Sequence, residues 1–260
     1  MSELLLKEFG ITELYSSSPE SYFKKANKPD NEQIITVKIQ KNNINPENIT
    51  ELESPEVMAR NIRKMAEDCK SIEQLRDLVV NFKSLSICKT AKNTVFSDGN
   101  PNSKIMVIGE APGANEDEEG IPFCGMSGKL LDKMLETIGL DRQKNFYITN
   151  SIFWRPPGNR RPTPEETNIC LPLIERHIAL FNPKLIILVG STAALSLLHS
   201  IDPISRLRQN FHSYTNKYLK EEVPVAVIFH PSYLLRQPKQ KKTTWYDLLN
   251  IKEKFSSLII

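Results

Sequence analysis

The sequence predicts an α/β fold: a three-layer α/β/α sandwich around a central, mainly parallel four-stranded sheet, preceded by a polar N-terminal extension. Three observations predict it. Beyond residue 100, short apolar runs alternate with segments of helical periodicity, the pattern of strand-helix-strand units on a parallel sheet. Residues 1–53, rich in Ser, Asn, Lys and Glu with only LLL and IITV as apolar islands, lack the apolar surface for a core. At 260 residues, 40% hydrophobic and 25% charged, the chain suits one sizeable domain with an appendage.

The elements follow in order. Residues 1–53 are expected to be flexible, and residues 54–260 to form one domain with a helical lead-in over 54–88. Ser54 caps a helix with Pro55 in its first turn and Met58, Ile62, Met65 and Cys69 on one face. Ser71 and Gln74 form a capping box for a second helix, whose buried stripe is Leu75, Leu78, Val79 and Phe82. The predicted strands are Ile105 to Ile108, Phe146 to Thr149, Leu185 to Val189 and Val225 to Phe229. Between them lie helices from Ser127 to Ile138, stopped by Gly139, from the Thr163-Pro164-Glu165-Glu166 start, and from Ser191. A last helix runs from about Thr244 to Phe255.

Composition narrows the function classes. No apolar run approaches the roughly 18 residues that cross a bilayer, and Glu3 stands where a signal peptide carries positive charge. A cytosolic monomer, from a bacterium on the Lys, Ile and Asn usage, is the expectation. The net charge of +3 requires any nucleic-acid surface to be a local patch. Cys69, Cys88, Cys124 and Cys170 lie far apart with no C-x-x-C pair, suggesting neither a disulfide framework nor a zinc site.

In open α/β sheets ligands bind beyond the C-terminal ends of the strands, which points here to Gly109 to Gly113, Asn150, Gly190 to Thr192 and His230 to Leu235. The segment GEAPGANEDEEGIPFCG (109–125) has glycines that let backbone approach a ligand and a flat apolar face in Phe123. It lacks the G-x-G-x-x-G spacing of a dinucleotide loop, and no helix is expected directly behind it; an acidic surface loop is the competing reading. Asn150 can donate and accept at once, matching the edge of a uracil or thymine ring, although a lone strand-end Asn is more often a turn former. In HPSYLLR (230–236), His230 can donate a hydrogen bond to an oxygen gaining negative charge, Ser232 and Arg236 can hold phosphates, and the leucines can wedge into a base stack unless they turn back into the core. WRPPGNRRP (154–162) and RQPKQKK (236–242) are basic loops suited to a phosphate-tracking rim.

Taken together and in this order, NTVFSDGNP, GEAPG with its following PF-x-G, YITN, RPPGNR and HPSYLL resemble the uracil-DNA glycosylase superfamily, most closely its family 4, from about Thr94 to Phe255. The resemblance implies excision of uracil flipped out of DNA. Phe123 would stack on the base, Asn150 would pair with its polar edge, and Gly109, Glu110 and Ala111 would line the pocket. His230 would stabilise the oxyanion at uracil O2, and Leu234 would fill the gap in the duplex. Arg155, Asn159, Arg160, Ser191, Ser232 and Arg236 would contact DNA. Members with a strong general base keep an Asp in the first loop, where this chain has Ala111, so water activation would fall to Glu116, with Asp117, Glu118 and Glu119 solvated. Family 4 members typically ligate an iron-sulfur cluster through four cysteines; here Phe82, Leu85 and Trp154 stand at three of those positions and only Cys170 matches. No cofactor and no cluster are therefore expected, with apolar packing in its place. Competing functions are a glycosylase of broader base choice (hypoxanthine or mispaired thymine), an inactive DNA-binding relative, and a generic nucleotide-binding α/β domain, which leaves HPSYLL unexplained.

Overall fold

In a computed structural model, residues 54–259 are described. The expectation for residues 1–53 lies outside them.

Two helices lead in, as the caps predict. Ser54 Oγ accepts from Val57 N to start α1 (Pro55–Asp68), and Ser71 Oγ accepts from Gln74 N to start α2 (Ile72–Asn81). The α1 face differs by one position: Ala66 is buried and Met65 is exposed. A short α3 (Ser86–Thr90), strand β1 (Ser97–Gly99) and strand β2 (Ile105–Gly109) follow. Directly behind β2 comes α4 (Ala114–Glu119), then α5 (Met126–Glu136) and β3 (Tyr147–Asn150). The long α6 (Pro164–Phe181) opens on a complete Thr163/Glu166 capping box. The chain continues through β4 (Leu185–Val189), α7 (Ser191–Leu198), α8 (Ile204–Leu207), β5 (His212–Tyr214), β6 (Val223–Ile228), α9 (Pro231–Arg236) and α10 (Lys241–Lys254).

The four predicted strands are the parallel centre of a six-stranded sheet of order β1-β3-β2-β4-β6-β5. Two three-residue strands, β1 and β5, extend it antiparallel at the edges. Strand residues alternate between two buried faces. Ile105, Val107, Ile148, Ile187 and Ile228 pack with Leu131 and Leu135 of α5 and Leu248 and Ile251 of α10. Met106, Ile108, Ile186, Leu188 and Val227 pack with Ile174 and Ile178 of α6 and Ala194 and Leu197 of α7. This is the three-layer sandwich, its strands apolar on both sides as a covered parallel sheet requires.

A third cluster joins α1 and α2 to α6 and to the segment after β3: Ile62, Ala66, Leu75, Val79, Leu85, Trp154, Ile169 and Cys170 are all buried in it. The lead-in helices are thus fixed to the domain by apolar burial.

Two expectations for the first loop are corrected. A helix, α4, does start directly behind GEAPG: extended Gly113 precedes it, and Glu116 Oε2 accepts from Gly113 N at 3.1 Å, the returning half of a capping box. Asp117 is buried, not solvated, because its Oδ1 accepts from Lys92 N and Asn93 N at 2.8 and 3.1 Å. Glu118 and Glu119 are exposed.

Candidate active site at the strand ends

The C-terminal ends of β2, β3, β4 and β6 open onto one cleft of about 1190 Å³, lined among others by Glu110, Ala111, Phe123, Asn150, Ser191 and His230. Parallel register places Gly109 opposite Asn150, so the first loop and the strand-end amide share one floor. The loop is sewn to the chain beyond β3: Ser151 N donates to Gly109 O at 2.9 Å, and Ser151 Oγ and Ile152 N donate to Glu110 O at 2.7 and 3.1 Å.

Asn150 is 1% exposed, and its Oδ1 has no hydrogen-bond partner among the described residues. A buried amide oxygen without a partner costs about 1–3 kcal/mol, so a cleft-lining one offers an acceptor to a donor that enters the cleft. Gly109 is needed here for space: a Cβ on it would fall 2.3 Å from Phe123 Cζ and 2.5 Å from Asn150 Oδ1. The tip of the Phe123 ring and the Asn150 amide oxygen therefore share the space above this glycine. Phe123 itself has φ of 53°, in the left-handed region, and its ring centroid is 5.9 Å from that of His230.

His230 caps α9. Ser232 N donates to its Nδ1 at 3.2 Å, and Ser232 Oγ lies 2.8 Å from the same nitrogen. A nitrogen that accepts carries no proton, so the neutral ring holds its hydrogen on Nε2. Desolvation, then the Arg236 charge, push its pKa down to about 4, with Glu116 opposing. The cleft is thus offered a neutral N–H donor.

Glu116 lines the cleft, yet its oxygens hold the loop together: Oε2 accepts from Gly113 N and Oε1 from Gly125 N at 2.9 Å. Ser191, Asn159, Arg160, Ser232 and Arg236, expected to contact DNA, also line the cleft. Arg160 forms a two-pronged pair with Glu166 at 2.8 and 2.6 Å, which fixes its guanidinium.

Two placements are corrections. Leu234 is 0% exposed, held in the core of the short α9, so it is not poised to enter a duplex; the neighbouring Leu235 is 40% exposed. Arg155 does not line the cleft: its Nε donates to Asn159 Oδ1 at 2.7 Å and its guanidinium faces Asp117 at 3.8 Å, bracing the basic loop from behind. The structure adds Arg161, Arg208 and Met126 to the lining. Arg161 sits inside the basic loop and was within reach of sequence reasoning; Arg208, paired with Asp247 at 2.9 Å, and Met126, 74% exposed, carried no motif.

The four positions linked to a cluster by resemblance come together in the third apolar cluster. Phe82 packs on Trp154 with ring centroids 5.8 Å apart, Trp154 Nε1 donates to Thr94 Oγ1 at 3.0 Å, and Leu85 is buried. Cys170 is 0% exposed and burial pushes its thiol far up, the opposite of a ready thiolate. Three side chains without a donor sulfur and one neutral thiol do not fit an iron-sulfur cluster. Among the described residues no group of three or more His, Cys, Asp or Glu side chains is arranged to hold a metal ion, and no helix is long and apolar enough to cross a membrane.

A family model described as the uracil DNA glycosylase superfamily matches residues 96–251, the sheet and every strand-end segment above. The chain is 37% identical over 193 residues to the type-4 uracil-DNA glycosylase of Sulfurisphaera tokodaii, covering 70% of this chain and 84% of that one. It is 37% identical over 189 residues to that of Archaeoglobus fulgidus, covering 70% and 94%, and 38% identical over 145 residues to that of Thermotoga maritima, covering 55% and 72%. With its cleft built from the same segments that the family model spans, the chain belongs to the uracil DNA glycosylase superfamily.

Proposed function

We propose that this protein is a DNA repair hydrolase that flips uracil out of DNA and cleaves its N-glycosidic bond, leaving an abasic site. The observation that carries the reading is the buried, unpartnered Oδ1 of Asn150 beside the Phe123 ring. A uracil stacked on that ring presents N3–H to Oδ1 and O4 to the Asn150 amide nitrogen, a pairing that rejects cytosine, whose N3 carries no hydrogen and whose N4 donates, by leaving buried groups unsatisfied. As the bond to deoxyribose breaks, charge grows on uracil O2, and the His230 Nε2–H donor stabilises it.

Extruding a base costs a few kcal/mol, which phosphate contacts and a wedge offset. Arg161 and Arg236, which carry no ion pair among the described residues, supply free charge on the cleft rim, and the exposed Leu235 takes the wedge role. Ala111 stands in the first loop where a carboxylate base would act. With Glu116 bracing Gly113 and Gly125, we assign it to loop geometry, and the reaction to charge stabilisation rather than strong general-base catalysis.

The test is a set of duplexes holding one uracil, one hypoxanthine or one mispaired thymine, incubated with the protein and treated with alkali. Scission at uracil alone is expected; scission at the others favours the broader glycosylase, and none at any base overturns the reading.

The reading includes no bound cluster. The Phe82, Leu85 and Trp154 packing supports it. Protein purified without oxygen is expected to be colourless near 400 nm with iron well below one atom per chain; about four atoms per chain contradicts it.

A further inference from the structure

We propose that Arg142, in the turn between α5 and β3 and outside every motif of the sequence, is a positioning residue that fixes the Phe123 platform. The inference rests on the reading above that the flipped base stacks on Phe123.

Phe123 adopts a left-handed backbone, with φ of 53°, which a bulky residue holds only when its surroundings impose it. Arg142 supplies that constraint. Its Nη1 donates to Pro122 O at 2.8 Å and its Nη2 to Phe123 O at 3.0 Å, so two successive carbonyls of the strained turn converge on one guanidinium. The other side of the group is anchored: Nε and Nη2 donate to Asp132 Oδ1 on α5 at 3.1 and 2.8 Å, and Nη1 to Asp98 Oδ2 on β1 at 3.1 Å. All the donor nitrogens of the planar fork are engaged, and the side chain is only 11% exposed. Arg142 lines no part of the cleft, so it acts through Phe123 and not on substrate.

Close packing limits the turn on two further sides but makes no polar contact with its carbonyls. A Cβ on Gly128 would fall 1.6 Å from Phe123 O, so α5 presses directly on this peptide, while the ring tip meets Gly109 on the far side. Between helix and strand, the guanidinium sets where the ring plane lies. Lysine cannot replace it, because a compact ammonium does not reach two carbonyls and two carboxylates in one plane.

The test is a double-mutant cycle on the full chain, crossing Arg142→Lys with Phe123→Ala. The readouts are single-turnover excision from a uracil duplex, affinity for the same duplex without uracil, and melting temperature. Arg142→Lys is expected to slow excision about 10- to 100-fold, as a misplaced reacting geometry does. Affinity for uracil-free duplex should change less than about twofold, because the rim is untouched. In the Phe123→Ala background the same substitution should cost less than about threefold, since its target is gone. Equal losses in both backgrounds, or no loss in folded Arg142→Lys, overturn the proposal. Should Arg142→Lys not fold, Asp98→Asn, which loosens one partly exposed anchor, is expected to show a smaller loss with the same dependence on Phe123. An unchanged rate or an additive loss there overturns it equally. Wild type that releases no uracil overturns the functional reading itself, and this inference with it; an active wild type with an additive cycle removes only the role of Arg142.

Discussion

At His230 the position of a single proton is decided by the backbone. Ser232 N–H points at Nδ1, so protonating that nitrogen would set two donors against each other, and burial already holds the pKa down at about 4. The neutral, Nε2-protonated ring therefore persists across the ordinary pH range, and it takes up a second proton and a positive charge only as pH falls through about 4. Single-turnover excision should accordingly show no inflection from His230 between pH 8 and 5, and should drop below that. An inflection near 6.5 that disappears in His230→Ala would contradict the assignment. Asn150 and His230 were legible in the sequence because each is a polar residue at the end of an apolar strand run. The left-handed Phe123 and its Arg142 anchor were not, since a lone arginine in a turn carries no pattern. The leucine pair shows a further limit. On a helix of six residues, adjacent side chains point about 100° apart, so Leu234 and Leu235 cannot face the same way, and tertiary packing buries Leu234.

Among the elements, those with caps and long apolar periodicity were readable. The start of α6 is the clearest: Thr163 Oγ1 accepts from Glu166 N at 3.1 Å, and Glu166 Oε2 accepts from Thr163 N at 2.8 Å. Thr163→Ala removes one half of this box and should lower unfolding stability by about 1 kcal/mol, measured by chemical denaturation. An unchanged midpoint would mean that the Arg160–Glu166 pair alone secures the helix start. The elements that the sequence did not reveal are short or carry no apolar stripe. Strands β1 and β5 span three residues each, too few for alternation to register. Helix α4, ANEDEE, has four acidic residues and no apolar stripe; it is held by the local Glu116 contact at its start and by Asp117 contacts to Lys92 and Asn93, which are invisible to periodicity.

For the whole molecule, the parallel sheet does the gathering: four strands ending on one side bring Glu110, Asn150, Gly190 and His230, far apart in sequence, to one cleft. The order of the motifs and the strand-end rule made that convergence predictable; the orientation of each side chain within it came from contacts between loops, as at Gly109, where two side chains occupy the space of a missing Cβ. The sharpest check on uracil recognition by Asn150 and charge stabilisation by His230 is the single-turnover release of free uracil from a duplex with one uracil. Wild type is compared with Asn150→Ala and His230→Ala at saturating enzyme. One uracil per duplex from wild type, and rates about 10²- to 10³-fold lower in each folded variant, are the expected result. Variants that release uracil as fast as wild type would contradict it.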